Sequence, residues 1–195
     1  MQIVLGSGSP RREEILRFFT LPFIKVSSAF DEESVPFTGD PALYVQELSR
    51  KKGESLLSAY PNSPILTADT TVFCEGEIYN KPKSREEAIC FLQKLSDRWH
   101  SVFTSLSLSY QGKVESRCEE TKILFHPLTL QQIDQYLQHV NFLDKAGSYA
   151  IQQSGGLIVK KIEGCYYNVM GLPLGSLREL LLGIGIDLWQ HMKIL

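Results

Sequence analysis

The chain opens on a short apolar run, Ile3-Val4-Leu5, that stops at Gly6-Ser7-Gly8-Ser9-Pro10 and resumes with apolar residues at Ile15, Leu16 and Phe19. A run of that length ending in glycine and serine predicts a buried strand, and the wider spacing beyond it predicts a helix with Ser9 as N-cap and Pro10 in the first helical position. A second helix is expected from about Asp40 through ALYVQELSRKKGESLLSAY, with Leu43, Leu48, Leu56 and Leu57 facing inward and Gly53 as its weak point. PILTADTTVF reads as a buried strand interrupted by a charge, and EGEIYNKP as a turn and a short return strand. Ser84 with Glu87, and Thr129 with Gln132, make two capping boxes ahead of apolar helical faces. Between them WHSVFTSLSLSYQGKVESRCEETKILFHP holds two or more strands, one alternating through Val102, Thr104, Leu106 and Leu108. A stretch rich in glycine and β-formers follows Gly147, and SLRELLLGIGI closes with a helix and a glycine stop. The elements predict a mixed α/β chain with its sites on the loops after the strands.

Two charges break this pattern. With Ser9 as N-cap, Arg11 and Arg12 fall in the first helical turn, where the dipole disfavours each by about 0.3 to 1 kcal/mol when exposed. A bound anion reverses that sign, because free N–H groups, the hydroxyls of Ser7 and Ser9 and two guanidinium forks would converge on one phosphate chain. The plainer reading is that Glu13 and Glu14 balance the arginines at a wet surface. The loop lacks the glycine-lysine-serine/threonine ending of a P-loop. Asp69 lies inside Ile65-Leu66-Thr67-Ala68 and Thr70-Thr71-Val72-Phe73, where an unpaired carboxylate is costly. It reads either as a strand-end acid accepting backbone N–H groups or as a general base or magnesium ligand at the C-terminal end of a buried strand. Lys81 follows after one hairpin and can return an amine to the same place, and Asp144-Lys145 precedes a tight turn. Asp31, Glu32 and Glu33 alone read as a solvated acidic loop, and Lys52 as an ordinary lysine. His100 reads as structural.

Composition narrows the chemistry. The 195 residues carry a formal net charge of −2, which gives no whole-surface attraction to nucleic acid or anionic membrane, so neither is an expected partner and phosphate chemistry has to come from local clusters. Cys74, Cys90, Cys118 and Cys165 lack metal-type spacing and read as free thiols. No cationic segment leads into a long apolar run, so the cytoplasm is the expected location. No serine sits in a nucleophile elbow and no cysteine has a recognisable histidine partner, which favours direct attack by water.

In their order, GSGSPRREEIL, FDEE, LSRKKG, LTADTTVFCEGEIYNKP, DRWHSVFTSLSL, TLQQIDQYL, DKAGSYAIQ and IEGCYYNVMGLPL make the chain resemble, nearly end to end, the Maf family of nucleotide pyrophosphatases, called septum formation inhibitors in older usage. The resemblance implies an elongated mixed β-sheet flanked by helices around a central cleft, similar to the inosine-triphosphate pyrophosphatase fold. Residues 1–195 would form one such domain, or two lobes about the nucleotide cleft, paired as a homodimer. It implies hydrolysis of a nucleoside triphosphate to the monophosphate and diphosphate with Mg2+ or Mn2+. Carried onto this chain, Asp69 is the proton acceptor and, with Glu32, holds the metal. Arg11, Arg12, Lys52 and Lys81 hold phosphate oxygens, with Ser7 and Ser9 orienting the chain. Arg11, Thr70 and Gln152 are the specificity positions. DKAGSYAIQ is similar to the branch acting on dTTP and UTP, whereas the branch acting on 7-methyl-GTP has serine-glutamate in place of isoleucine-glutamine. The alternatives are a pyrophosphatase for 7-methyl-GTP or a broader set of modified nucleotides, and a non-catalytic nucleotide-binding regulator of cell division. Four positions depart from the family pattern: Gly6, Ser105, Cys165 and Gln153. Of these, Gln153, where glycine is usual, is expected to bear most on the base pocket.

Overall fold

The computed structural model describes residues 1–193. Strand β1 (Ile3–Gly6) pairs in parallel with β2 (Phe23–Val26) and with β3 (Ile65–Cys74). The crossovers between them carry α1 (Pro10–Leu16) and α2 (Pro41–Glu54). From β3 onward the pairing is antiparallel: a tight turn leads to β4 (Glu77–Tyr79), and after α3 (Arg85–Leu95) the long hairpin of β5 (Trp99–Tyr110) and β6 (Lys113–Phe125) follows. Beyond α4 (Leu130–His139), β7 (Val159–Glu163) joins the β6 edge, and α5 (Tyr166–Val169), α6 (Leu174–Leu182) and a 3-10 turn at Leu188–His191 follow. The result is one seven-stranded mixed sheet in the order β2-β1-β3-β5-β6-β7, with β4 also on β3.

One face of the sheet carries two separate apolar cores. Ile15 and Leu16 of α1 and Leu177, Leu180 and Leu181 of α6 pack on Leu5, Leu66 and Leu106. Further along the same strands, Ala88, Leu92 and Leu95 of α3 and Ile133, Tyr136 and Leu137 of α4 pack on Val72, Val102 and Ile123. Between the two, the strands present hydroxyls, with Thr70 and Thr104 meeting at 2.9 Å. On the opposite face α2 lies close to small polar residues: Thr67 donates to the Ser49 carbonyl at 2.6 Å, and the Ser49 hydroxyl donates to Ser105 at 3.0 Å. Gly53 permits that approach, since a Cβ there would sit 3.3 Å from both Ser109 Oγ and Thr67 Oγ1.

The structure departs from the sequence expectations in ways that matter for the site. Asp69 lies in the middle of β3, not at its C-terminal end. Leu43 and Leu57 are 59% and 41% exposed, because α2 buries the stripe Tyr44, Val45, Leu48, Ser49 and Lys52 and stops at Glu54, before Leu57. Ser9 takes the N-cap position of α1 without a side-chain hydrogen bond to the helix. The Thr129–Gln132 box is complete, but only half of the Ser84–Glu87 box forms, since the Glu87 carboxylate accepts from the Lys83 N–H.

Candidate active site

The sheet register creates the site. β1 pairs with β3 only at Ile65, Leu66 and Thr67, and β4 pairs on the same side only at Val72, Phe73 and Cys74. Ala68 to Thr71 therefore have no strand beside them on that edge, and Asp69 sits in the gap. A cavity of about 780 Å3 wraps this open edge, reaching Asp69 on one face and Thr70 and Val72 on the other. Its volume is in the range that takes a nucleotide-sized ligand. Ser7, Ser9, Arg11, Arg12, Glu32, Lys52, Asp69, Thr70, Lys81 and Gln152 all line it. So do Lys83, Lys145, Glu33 and Asp144, giving six cationic side chains against four carboxylates on a chain of net negative charge.

At the floor, the Lys52 ammonium bridges two acids, 2.5 Å from Asp69 Oδ1 and 2.9 Å from Glu32 Oε1. Burial pushes the Asp69 carboxyl above the ordinary aspartate value despite the pull of Lys52 and Arg12. Glu32, exposed at the cavity rim, goes the other way. Burial would raise it, but Lys52, Lys81 and Arg12 together hold it below the usual carboxylate range. Two acids that share one cation are thus driven apart in acidity by how much water each keeps.

The two arginines have different employment. Arg12 is buried and donates inward: Nε to the Gly171 carbonyl at 2.7 Å, Nη1 to Ser7 Oγ at 3.1 Å and to the Ala68 carbonyl at 2.9 Å, and Nη2 to Thr70 Oγ1 at 2.9 Å. Four of its five N–H groups are committed to the protein, including one on the unpaired edge of β3, so it ties the Ser-Gly loop to the break in the sheet and can offer a ligand one hydrogen. Gly171, at φ 93°, makes room, since a Cβ there would lie 3.2 Å from Arg12 Nε. Burial pushes the guanidinium down to about 10, which leaves it charged at neutral pH. Arg11 spans the cavity mouth, donating to Asp144 Oδ2 and to the Asp144 carbonyl, both at 3.0 Å. Lys145 holds the other carboxylate oxygen of Asp144 at 2.6 Å. Thr104 donates to the Asn168 carbonyl, so Thr70 donates to Thr104 and accepts from Arg12. The Thr70 proton is committed to the floor.

Gln152 lines the cavity beside Ala150, Ile151, Val169 and Met170. Gln153, which the sequence expected to bear most on the base pocket, is not among the residues lining the cavity; it is exposed with φ 52°, a left-handed conformation that glycine adopts most readily. Tyr44 and Asn80 also line the cavity, and sequence reasoning missed both. The signal for Tyr44 was its spacing from Lys52, two helical turns along one face. Among the described residues no group of three or more His, Cys, Asp or Glu side chains converges to hold a metal ion. The pair Asp69 and Glu32 fits a hard divalent cation whose remaining ligands are phosphate oxygens and water, and does not fit an all-protein cage.

The sequence matches one family model, Maf-like protein, over residues 2–184. A dTTP/UTP pyrophosphatase of Chlamydia caviae is 46% identical over 192 residues, 98% of each chain. A nucleoside triphosphate pyrophosphatase of Chlamydia muridarum is 45% identical over 192 residues, again 98% of each. Among solved structures, the Staphylococcus aureus Ham1 protein superposes on 94% of this chain and all of its own with a TM-score of 0.52 at 20% identity, a likeness of fold.

Proposed function

From the premise that this chain belongs to the Maf family, we propose that it is a nucleoside triphosphate pyrophosphatase that cleaves dTTP and UTP between the α and β phosphates, releasing the monophosphate and diphosphate. The observation that carries the reading is the buried carboxylate of Asp69 at the break in the sheet edge, inside a cavity with an excess of cations. Asp69 accepts a proton from the water that attacks the α phosphorus, a role its raised pKa suits. Lys52 keeps that carboxylate charged until the proton arrives and neutralises charge as it shifts to the leaving diphosphate. Arg11 and Lys81 hold phosphate oxygens, while Arg12 keeps the Ser7 loop and the strand edge in place around them. A bound Mg2+ or Mn2+, held by Asp69 and Glu32, would supply Lewis-acid neutralisation of the triphosphate.

The Gln152 amide has the donor and acceptor to pair with the O4 and N3–H edge of uracil or thymine. The apolar wall tolerates the thymine methyl, worth about 0.8 kcal/mol, so both bases are accepted. The reading includes a homodimer working on free nucleotides in the cytoplasm, a setting that suits the free thiols of Cys74, Cys90, Cys118 and Cys165. The test is pyrophosphate release from dTTP, UTP, CTP, 7-methyl-GTP, GTP and ITP with either metal, beside Asp69→Asn. Release from dTTP and UTP that vanishes in the variant is expected. Preference for 7-methyl-GTP would overturn the base assignment, and nucleotide binding without release would overturn the enzyme.

A further inference from the structure

α2 presents Tyr44, Leu48 and Lys52 to the cavity at successive turns, so the helix that delivers the ammonium to Asp69 also delivers a phenol. The ring is buried, 9% exposed, and rests edge-on against Phe37 with centroids 5.8 Å apart. Its oxygen accepts a hydrogen bond from Asn80 Nδ2 at 3.2 Å. Asn80 is itself oriented, because Thr71 Oγ1 donates to Asn80 Oδ1 at 2.7 Å. Thr71 lies two residues from Asp69 on β3, so the catalytic strand sets the amide and the amide sets the phenol.

This relay decides where the phenolic hydrogen goes. Asn80 donates, so on that side Tyr44 is an acceptor, and its own O–H has to turn elsewhere. Among the described residues no acceptor takes it. The charged groups that act on Tyr44 are Asp69 and Glu32, and Lys81 follows Asn80 directly into the same cavity. Those carboxylates alone would repel an anion, but six cationic side chains line the same cavity against four acids, so a fixed, unspent donor there is positioned for an anion, and on the pyrophosphatase reading that anion is a polyphosphate.

We propose that Tyr44 donates a hydrogen bond to a phosphate oxygen of the bound nucleoside triphosphate, and that Asn80, held by Thr71, is a positioning residue that keeps this hydrogen turned into the cavity. The proposal rests on the pyrophosphatase reading. Burial, together with the negative charges of Asp69 and Glu32, pushes the phenol above its ordinary value, so it remains a donor through the neutral range.

The test compares wild type, Tyr44→Phe, Asn80→Ala and the double variant in pyrophosphate release from dTTP. Calorimetric affinity for the non-hydrolysable α,β-methylene analogue of dTTP, and thermal unfolding, are measured on the same preparations. Tyr44→Phe is expected to fold, since exposed Asn80 can return its freed N–H to water, and to lose about tenfold in kcat/KM with weaker binding of the analogue. Asn80→Ala should fall between it and wild type, and the double variant should be no worse than Tyr44→Phe, because the amide acts only through the hydroxyl. A folded Tyr44→Phe with kcat/KM and affinity within about twofold of wild type overturns the proposal, and additive losses overturn the role of Asn80. Should Tyr44→Phe fail to fold, unchanged kinetics and affinity in Asn80→Ala overturn it instead. A wild type that releases no pyrophosphate overturns the enzymatic reading separately, and the analogue affinities then still decide whether the phenol meets phosphate.

Discussion

Asp69 and His100 stand on adjacent strands, β3 and β5, and are 6% and 3% exposed. Burial pushes each toward its neutral form, the acid up and the imidazole down to about 4. Their surroundings then separate them. Asp69 is met by the Lys52 ammonium at 2.5 Å and opens onto the cavity. His100 is walled by Phe125 and Tyr149, with ring centroids 4.6 and 5.5 Å away, and bonds through Nε2 to the Tyr149 hydroxyl at 3.0 Å. The same desolvation leaves a carboxylate suited to the proposed base role where cations hold its charge, and a core ring where aromatic residues surround it. Burial alone distinguishes nothing; what decides is the charge arranged around the buried group and whether water or a ligand can reach it.

The largest effect that would break this contrast is on turnover. Asp69→Asn should lower the rate of pyrophosphate release by about three orders of magnitude while nucleotide still binds, as loss of a general base does. His100→Phe should leave kcat within about twofold. Equal losses in the two variants would mean that the carboxylate is only another buried polar group.

Removing the cation sharpens the same point. Lys52→Met leaves Asp69 and Glu32 facing each other without their shared partner, and the rate is expected to fall by about a hundredfold. The acid limb of the pH profile carries the more specific prediction. In wild type that limb is expected above the ordinary aspartate value, because burial outweighs Lys52. Without Lys52 the limb should move further up. A limb that stays in place in Lys52→Met would assign the titration to another group.

Stability should show the two groups with opposite slopes. His100 has its folded value near 4, below about 6.5 in the unfolded chain, so between these the unfolded chain binds more protons and stability falls as pH falls. The loss approaches about 3 kcal/mol by pH 4. His100→Phe should flatten this window, whatever it costs at neutral pH by leaving Tyr149 unpaired. Asp69 has its folded value raised, so the folded chain binds the extra proton and stability falls as pH rises through that value. Asp69→Asn should remove that fall. Denaturant melts of both variants across pH measure the two slopes.

These contrasts were unevenly legible in the sequence. Asp69 announced itself by interrupting an apolar run, and Arg11 and Arg12 by standing at the wrong end of a helix. Most helices and strands followed from spacing and caps. What the sequence could not express was the register of two short strands on one edge of β3, which opens the gap at Ala68 to Thr71. Nor could it distinguish Arg12, whose donors are mostly committed to carbonyls and hydroxyls within the protein, from Arg11 at the mouth, since both read simply as guanidinium groups. Tyr44 was hidden for a related reason: an aromatic residue at helical spacing looks like core until the cavity beside it is known. Leu43 and Leu57 misled in the opposite sense, because leucine alone does not fix the phase of a helical stripe.

The smallest expected effect extends the contrast to two neighbours of identical chemistry. Gln152 lines the cavity, whereas Gln153 is exposed outside it at φ 52°. Replacing this residue by glycine, Gln153→Gly, relieves a left-handed conformation that costs a side chain about 1 to 2 kcal/mol. It also adds backbone freedom to the unfolded chain, worth about 0.5 to 1 kcal/mol in the other direction. The net gain in stability should lie between about 0 and 1.5 kcal/mol, readable as a small rise in the unfolding midpoint. The ratio of dTTP to UTP turnover should not move, because the residue that changes does not line the cavity. A shifted ratio would place Gln153 at the base, and adjacency in the chain would then have counted for more than the direction in which each side chain points.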